Sequence, residues 1–359
     1  MKRIIITLSV ALMLLSCKDN LAPVAADAIK ATVITEPTPN DTDDPAIWVH
    51  PTNPSKSLVV GTDKEVGGGV YVYDLNGKIV NKFIGMQRPN NVDIAYGLKV
   101  GETVIDVAVV TERNSNQLRV FSMPDLKPID GGGLEMFEGE TEEDYRDVMG
   151  IALYTHQQGT EEQKIYAVVG RKSGPSSNYI WQYELKGKED GTVEAKKVRA
   201  FGTYSGKKEI EAIAVDNELG YIYYSDEMAG VRKYYADPFK GNEELAFFAT
   251  TDAKRDHEGI AIYKTGLQTG YILVSDQQEN NFLVYAREGK NGNPHQHELL
   301  AKIPVSTIEC DGADASNANF GPPFEKGMLV AMSNGNVFHY YKWEDIQARI
   351  DAAIQQPKN

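Results

Sequence analysis

Val70-Tyr71-Val72-Tyr73, Leu118-Arg119-Val120-Phe121, Ile180-Trp181-Gln182-Tyr183, Val231-Arg232-Lys233-Tyr234, Phe282-Leu283-Val284-Tyr285 and Val337-Phe338-His339-Tyr340 are six short runs that each close on an aromatic residue. They return at intervals of roughly 50 residues, a period that signals propeller blades. Before each lies a buried-strand pattern that breaks off into polar residues. These are Leu58 to Gly61 then Thr62-Asp63-Lys64, Val107 to Val110 then Thr111-Glu112-Arg113, and Tyr166 to Val169 then Gly170-Arg171-Lys172. The other three are Tyr221 to Tyr224 then Ser225-Asp226-Glu227, Tyr271 to Val274 then Ser275-Asp276-Gln277, and Met328 to Ala331 then Met332-Ser333-Asn334. An all-β, six-bladed β-propeller is the predicted fold.

A third, small-residue strand opens each repeat, with polar groups at its entrance. Asp43-Asp44 precede Pro45-Ala46-Ile47-Trp48, Asn90-Asn91 precede Val92-Asp93-Ile94, and Asp147 precedes Met149-Gly150-Ile151-Ala152. Glu211 precedes Ala212-Ile213-Ala214, Asp256 and Glu258 precede Gly259-Ile260-Ala261, and Asp311 stands beside Gly312-Ala313-Asp314. The first strand of a blade lines the central channel, so these entrances are expected to meet around the axis on one face. Any single acid there can cap a turn or bond a backbone amide. Repetition in blade after blade instead builds a negative ring that calls for cations.

The 359 residues are 42% hydrophobic and include 19 Tyr and 32 Gly, enough for one large core and a balance that favours strands. A net charge of −14 with no extended basic patch argues against nucleic acid and acidic membranes as partners. Lys2-Arg3, the apolar stretch from Ile4 to Leu15 and Ser16-Cys17 have the layout of a signal peptide, too short to span a membrane. Leu14-Leu15-Ser16-Cys17 resembles a lipobox, which would place diacylglycerol on Cys17. The expected organisation is a leader over 1–17, an Ala/Pro/Thr-rich tether over 18–38 and a propeller over 39–355. The product would be an exported outer-membrane lipoprotein, periplasmic or at the cell surface, and monomeric. Residues 30–36 are candidates for an outer strand that closes the ring, and Trp343, Ile346, Ile350 and Ile354 predict a terminal amphipathic helix on the last blade. With Cys17 acylated, Cys310 has no disulfide partner and reads as a buried thiol.

Asp43, Asp44, Glu211, Asp256, Glu258, Asp311 and Gln277, with backbone carbonyls, are hard oxygen donors suited to calcium. No His-Glu-x-x-His, Cys-x-x-Cys or EF-hand pattern is present, so a calcium site would be assembled from several blades. Lys64, Arg113, Arg171 and Lys172 fall at the polar ends of middle strands and are expected at the same mouth. Cationic side chains and calcium together form a clamp for phosphoryl oxygens. No Gly-x-Ser-x-Gly elbow or well-spaced phosphate loop competes with this reading.

Asp43-Asp44-Pro45-Ala46-Ile47-Trp48, Asn90-Asn91-Val92-Asp93-Ile94 and His257-Glu258-Gly259-Ile260-Ala261-Ile262-Tyr263 resemble the β-propeller phytases, with repeats in the same order from about Asp41 to Ile350. The resemblance implies a six-bladed, calcium-dependent phosphomonoester hydrolase acting on phytate as its calcium complex. It implies calcium ligation by Asp43, Asp44, Glu211, Asp256, Glu258 and Gln277, with carbonyls from Pro45 and Val92. It implies phosphate binding by Lys64, Arg113 and Arg171 or Lys172, and an acid, Glu227, near a water that attacks in line. Met149, Glu65 and Ala212 depart from the family pattern at the pocket. Two other readings remain open. A calcium-dependent lactonase or phosphodiesterase would need an acidic and amidic mouth with a His base. A non-catalytic binding module would expose an aromatic patch away from the axis.

Overall fold

A computed structural model describes residues 21–355. The leader and Cys17 lie outside the described residues. Six antiparallel sheets follow one another in sequence, five of four strands and one of five. The first runs Thr42–Trp48, Leu58–Asp63, Gly69–Tyr73 and Ile79–Ile84 from the axis outward. Their innermost strands contact each other in turn, and the first and sixth meet, so the fold is the six-bladed propeller.

The second strand of each blade reads as a continuous apolar run because it is covered on both faces: Val59, Val60, Val107, Val109, Val168 and Val274 have no exposed surface. Blade-to-blade packing supplies the core. Val60, Val72, Val110 and Phe121 pack together between blades one and two, and Tyr224, Tyr166, Ile180 and Phe201 between three and four. Inter-blade hydroxyl bonds add to this. Thr62, Thr111, Ser225 and Ser275 each donate to a main-chain carbonyl at the next blade's entrance, those of Asn90, Met149, Glu258 and Cys310. Each buried hydroxyl bond contributes about 1 kcal/mol.

The ring closes through the N-terminal segment: Val33–Ile34 pairs with Val337–Lys342 as the outer strand of the sixth blade. The expected tether is corrected here. Ala22 N–H donates to the Gln278 carbonyl at 2.7 Å, Ile29 N–H donates to that of Pro304 at 2.9 Å, and Ala28 is buried. From residue 22 the chain is therefore bound to blades five and six. Its lack of period reflects a single strand-like pass whose stability comes from main-chain bonds. The helix Trp343–Gln355 buries Trp343, Ile346 and Ile350 against blade five's outer strand as well as blade six, while Ile354 is exposed.

Candidate active site

Four of the innermost strands are irregular near their entrance ends. Strand register shifts between Thr42 and Pro45, Pro89 and Val92, Val148 and Ile151, and His257 and Ile260. A bulge breaks the two-residue alternation of side chains, so neighbours can point away from the pattern a regular strand imposes. In the first blade Asp43 joins the channel mouth, while Asp44 lines the channel itself and accepts the Val92 N–H at 3.1 Å.

At the mouth the side chains form a closed circuit. Lys64 Nζ lies 2.8 Å from Asp43 and 2.6 Å from Asp311. Asn90 Nδ2 donates to Asp43 at 2.9 Å and also to Glu211. Glu211 clusters with Glu209 and Glu227, their oxygens within 4.8 Å of one another, and Glu227 belongs equally to a second cluster with Asp256 and Glu258. Lys208 Nζ touches all three acids of that second cluster, at 2.5 Å from Glu227, 3.3 Å from Asp256 and 3.4 Å from Glu258. Gln278 Nε2 donates to Asp256 and to Gln277, and Gln277 donates to Asp311 at 2.6 Å, which returns the circuit to its start. Lys172 extends it outward through Glu209 at 2.5 Å, and Arg113 Nε faces Asp147 at 3.4 Å.

The electrostatics are those of a site short of positive charge. Burial pushes the carboxyls of Asp43 and Glu211 up against the opposing pull of Lys64. Glu227 is pushed up to about 8, first by burial and with Lys208 acting the other way. Burial, then the Glu227 charge, raises Glu258 well above its ordinary value. For Lys64 and Lys208 burial opposes the charged form, but the surrounding carboxylates win and both ammonium groups are held charged. Glu227 Oε1 and Glu258 Oε2 are buried with no hydrogen-bond partner among the described residues. Leaving such oxygens unpaired costs about 1–3 kcal/mol each, more when charged. The carboxylates of both clusters offer oxygen ligands, and 4.8 Å is a separation that a cation with bonds of about 2.4 Å can span. The residues therefore fit a hard divalent cation.

The family model described as Phytase matches residues 2–353. The chain belongs to the Phytase family. The 3-phytase of Bacillus subtilis (strain 168) is 31% identical over 321 residues, which cover 85% of this chain and 80% of that protein. The Dos1 propeller is similar to 80% of this chain with a TM-score of 0.43 and 11% identity, and the chain spans 65% of that structure.

Register within the phytase fold sorts the site residues named from the sequence. Lys64, Arg113, Lys172, Glu227, Gln277 and Asn334 occupy one equivalent position: each N–H donates to the entrance-loop carbonyl of its own blade, those of Asp41, Arg88, Asp147, Glu209, Asp256 and Ile308. The residue just before each braces that loop. Asp63, Glu112, Asp226 and Asp276 accept the main-chain N–H of Asp41, Gln87, Ser205 and Lys254. Arg171 holds this bracing position in the third blade, and its expected place at the mouth is corrected. Its side chain is fully buried, donates to the carbonyls of Tyr145, Asn178 and Tyr179, and lies 4.7 Å from the Phe137 ring. Lys172 is the third-blade cation at the mouth.

Pro45 and Val92 line the channel with Asp44, in a cavity of about 390 Å³. Cys310 is buried and donates to the Gly312 carbonyl, its thiol pushed up by burial. Met149 is buried and Glu65 is exposed. Sequence reasoning missed Lys208 and Glu209. Their place three and two residues before the entrance acid Glu211 was the available signal.

Proposed function

We propose that this phytase-family enzyme releases inorganic phosphate from phytate in a calcium-dependent reaction at the channel mouth. The observation that carries the reading is the closed carboxylate circuit interrupted by lysines, with Asp43, Asp311, Glu209, Glu211, Glu227, Asp256 and Glu258 facing Lys64, Lys172 and Lys208. Such a ring repels a polyanion on its own and attracts one when cations are added. Calcium held by Asp43, Asp44, Glu211, Asp256, Glu258, Gln277 and Asp311 would supply that charge and polarise phosphoryl oxygens, with the Pro45 and Val92 carbonyls as donors in the channel.

The chain's own side chains do the rest. Lys64, Arg113 and Lys172, at equivalent register in three successive blades, bind phosphoryl oxygens and fix the phosphate for in-line displacement. Glu227, with a free oxygen, orients the attacking water and takes its proton. The phosphorus–oxygen bond to the inositol breaks, and the departing alkoxide takes a proton from solvent water at the open mouth. No histidine belongs to the circuit: His257 is buried against the Ala249 carbonyl, which disfavours a lactonase-type base. Trp48, Trp181 and Trp343 are buried, so they form no exposed platform for a binding module. The leader and Cys17 support export and membrane attachment through lipid. The mass of the mature N-terminus, with or without a diacylglycerol on Cys17, decides that point.

Phosphate release by purified protein in calcium buffer, compared between phytate and p-nitrophenyl phosphate at equal concentration, tests the substrate. The proposal expects phytate to be cleaved with a kcat/KM at least about tenfold higher, since several cationic subsites engage only a polyphosphate. Equal or preferred cleavage of p-nitrophenyl phosphate contradicts it.

A further inference from the structure

Lys208 stands against Asp256 and Glu258, assigned as metal ligands, and against Glu227, assigned as the base beside them, yet it is itself a cation. It belongs to the loop that joins the outer strand Val193–Thr203 to the fourth blade's inner strand Ile213–Asp216. From there its ammonium group crosses to blade five, reaching Asp256 and Glu258 as well as Glu227. The loop is fixed at Lys208 itself and just before it. Tyr204 donates its hydroxyl to the Lys208 carbonyl, and Ser205 Oγ donates to Asp226 at 2.6 Å. The backbone is thus anchored while the side chain remains 32% exposed, in contrast to its three partners at 0 to 3%.

One ammonium cannot satisfy this position. It brings a single charge and three donors to three buried carboxylates, and Glu227 Oε1 and Glu258 Oε2 are left without a hydrogen-bond partner. A divalent cation offers twice the charge and accepts six to eight oxygens, so it meets the need the lysine leaves. The two cations cannot share the space, because like charges a few ångströms apart in a buried setting repel by more than either gains. A partly exposed, flexible lysine can swing to solvent when displaced.

We propose that Lys208 is a tethered counter-ion that occupies the Glu227, Asp256 and Glu258 position when divalent cation is scarce and is displaced when one binds. It lowers the calcium affinity of that position and thereby sets the calcium level at which the site is loaded, while protecting the cation-free fold from carboxylate repulsion. The inference rests on the calcium reading of the mouth.

The test is calcium binding to chelator-treated full-length protein by titration calorimetry, with unfolding temperatures measured in chelator and in millimolar calcium. Lys208→Gln is expected to bind calcium about tenfold or more tightly at one site, since the competing occupant is gone. Lys208→Arg, which keeps the charge, is expected to stay near the parent affinity. In chelator Lys208→Gln is expected to unfold at a lower temperature than the parent, and in calcium that deficit is expected to vanish or reverse. Unchanged calcium affinity, or an equal deficit in both buffers, overturns the inference and leaves Lys208 as a structural ion-pair partner only. Absence of calcium binding in the parent protein and both variants overturns the calcium reading itself, and this inference with it.

Discussion

Glu227→Gln is expected to lower phosphate release from phytate by about a hundredfold or more while the protein remains folded. The substitution keeps shape and volume and removes only the charge and the proton acceptor. Glu227 has no exposed surface, sits in both carboxylate clusters and carries an oxygen without a hydrogen-bond partner. Removing one of three clustered carboxylates relieves repulsion that the single Lys208 ammonium only partly offsets in the absence of added cation. The unfolding temperature in chelator is therefore expected to hold or rise. Steady-state release with circular dichroism on the same sample checks both halves. Retained activity would remove Glu227 from the proton-transfer role, and lost structure would make it a folding residue.

Arg171→Met and Lys172→Met are adjacent substitutions with opposite expected results. Arg171 is fully buried, its guanidinium divided among three main-chain carbonyls and Glu140, with the Phe137 ring against it. Its removal strands those carbonyls and is expected to cost about 3 kcal/mol of stability. Lys172 is 28% exposed and pairs with Glu209, so its loss is expected to change stability by less than about 1 kcal/mol. Lys172→Met is instead expected to raise KM for phytate several-fold. Thermal unfolding and steady-state kinetics on both variants decide the assignment. A stable Arg171→Met with a raised KM, beside an unaffected Lys172→Met, would reverse it.

The blade plan was readable because the second strands are apolar on both faces and break off abruptly into polar residues, as Val107 to Val110 does, and because each third strand closes on an aromatic residue, as Leu118 to Phe121 does. The outer strands were harder to see. Ile79–Ile84 is largely exposed and Ala246–Phe248 has only three residues, so neither carries a sustained pattern. Asp43, Glu211 and Glu258 were legible as repeated entrance acids, and their meeting followed from the propeller's axis. The choice between Arg171 and Lys172 was also present in the sequence: Thr62-Asp63-Lys64, Thr111-Glu112-Arg113, Gly170-Arg171-Lys172 and Ser225-Asp226-Glu227 place the mouth residue third each time. What the repeat does not encode is direction after a bulge. The divergence of Asp43 to the mouth and Asp44 to the channel arises from the register shift between Thr42 and Pro45, which depends on pairing with the next strand. Lys208 was hidden for a related reason, since its partners lie up to 50 residues away on another blade.

The most direct measurement is phosphate release from phytate by protein stripped with chelator, followed as calcium is added back, with bound calcium read on the same samples. The account predicts no release without calcium and recovery that tracks occupancy of the mouth. Release that persists in chelator, or calcium binding at the mouth that restores no activity, would contradict it.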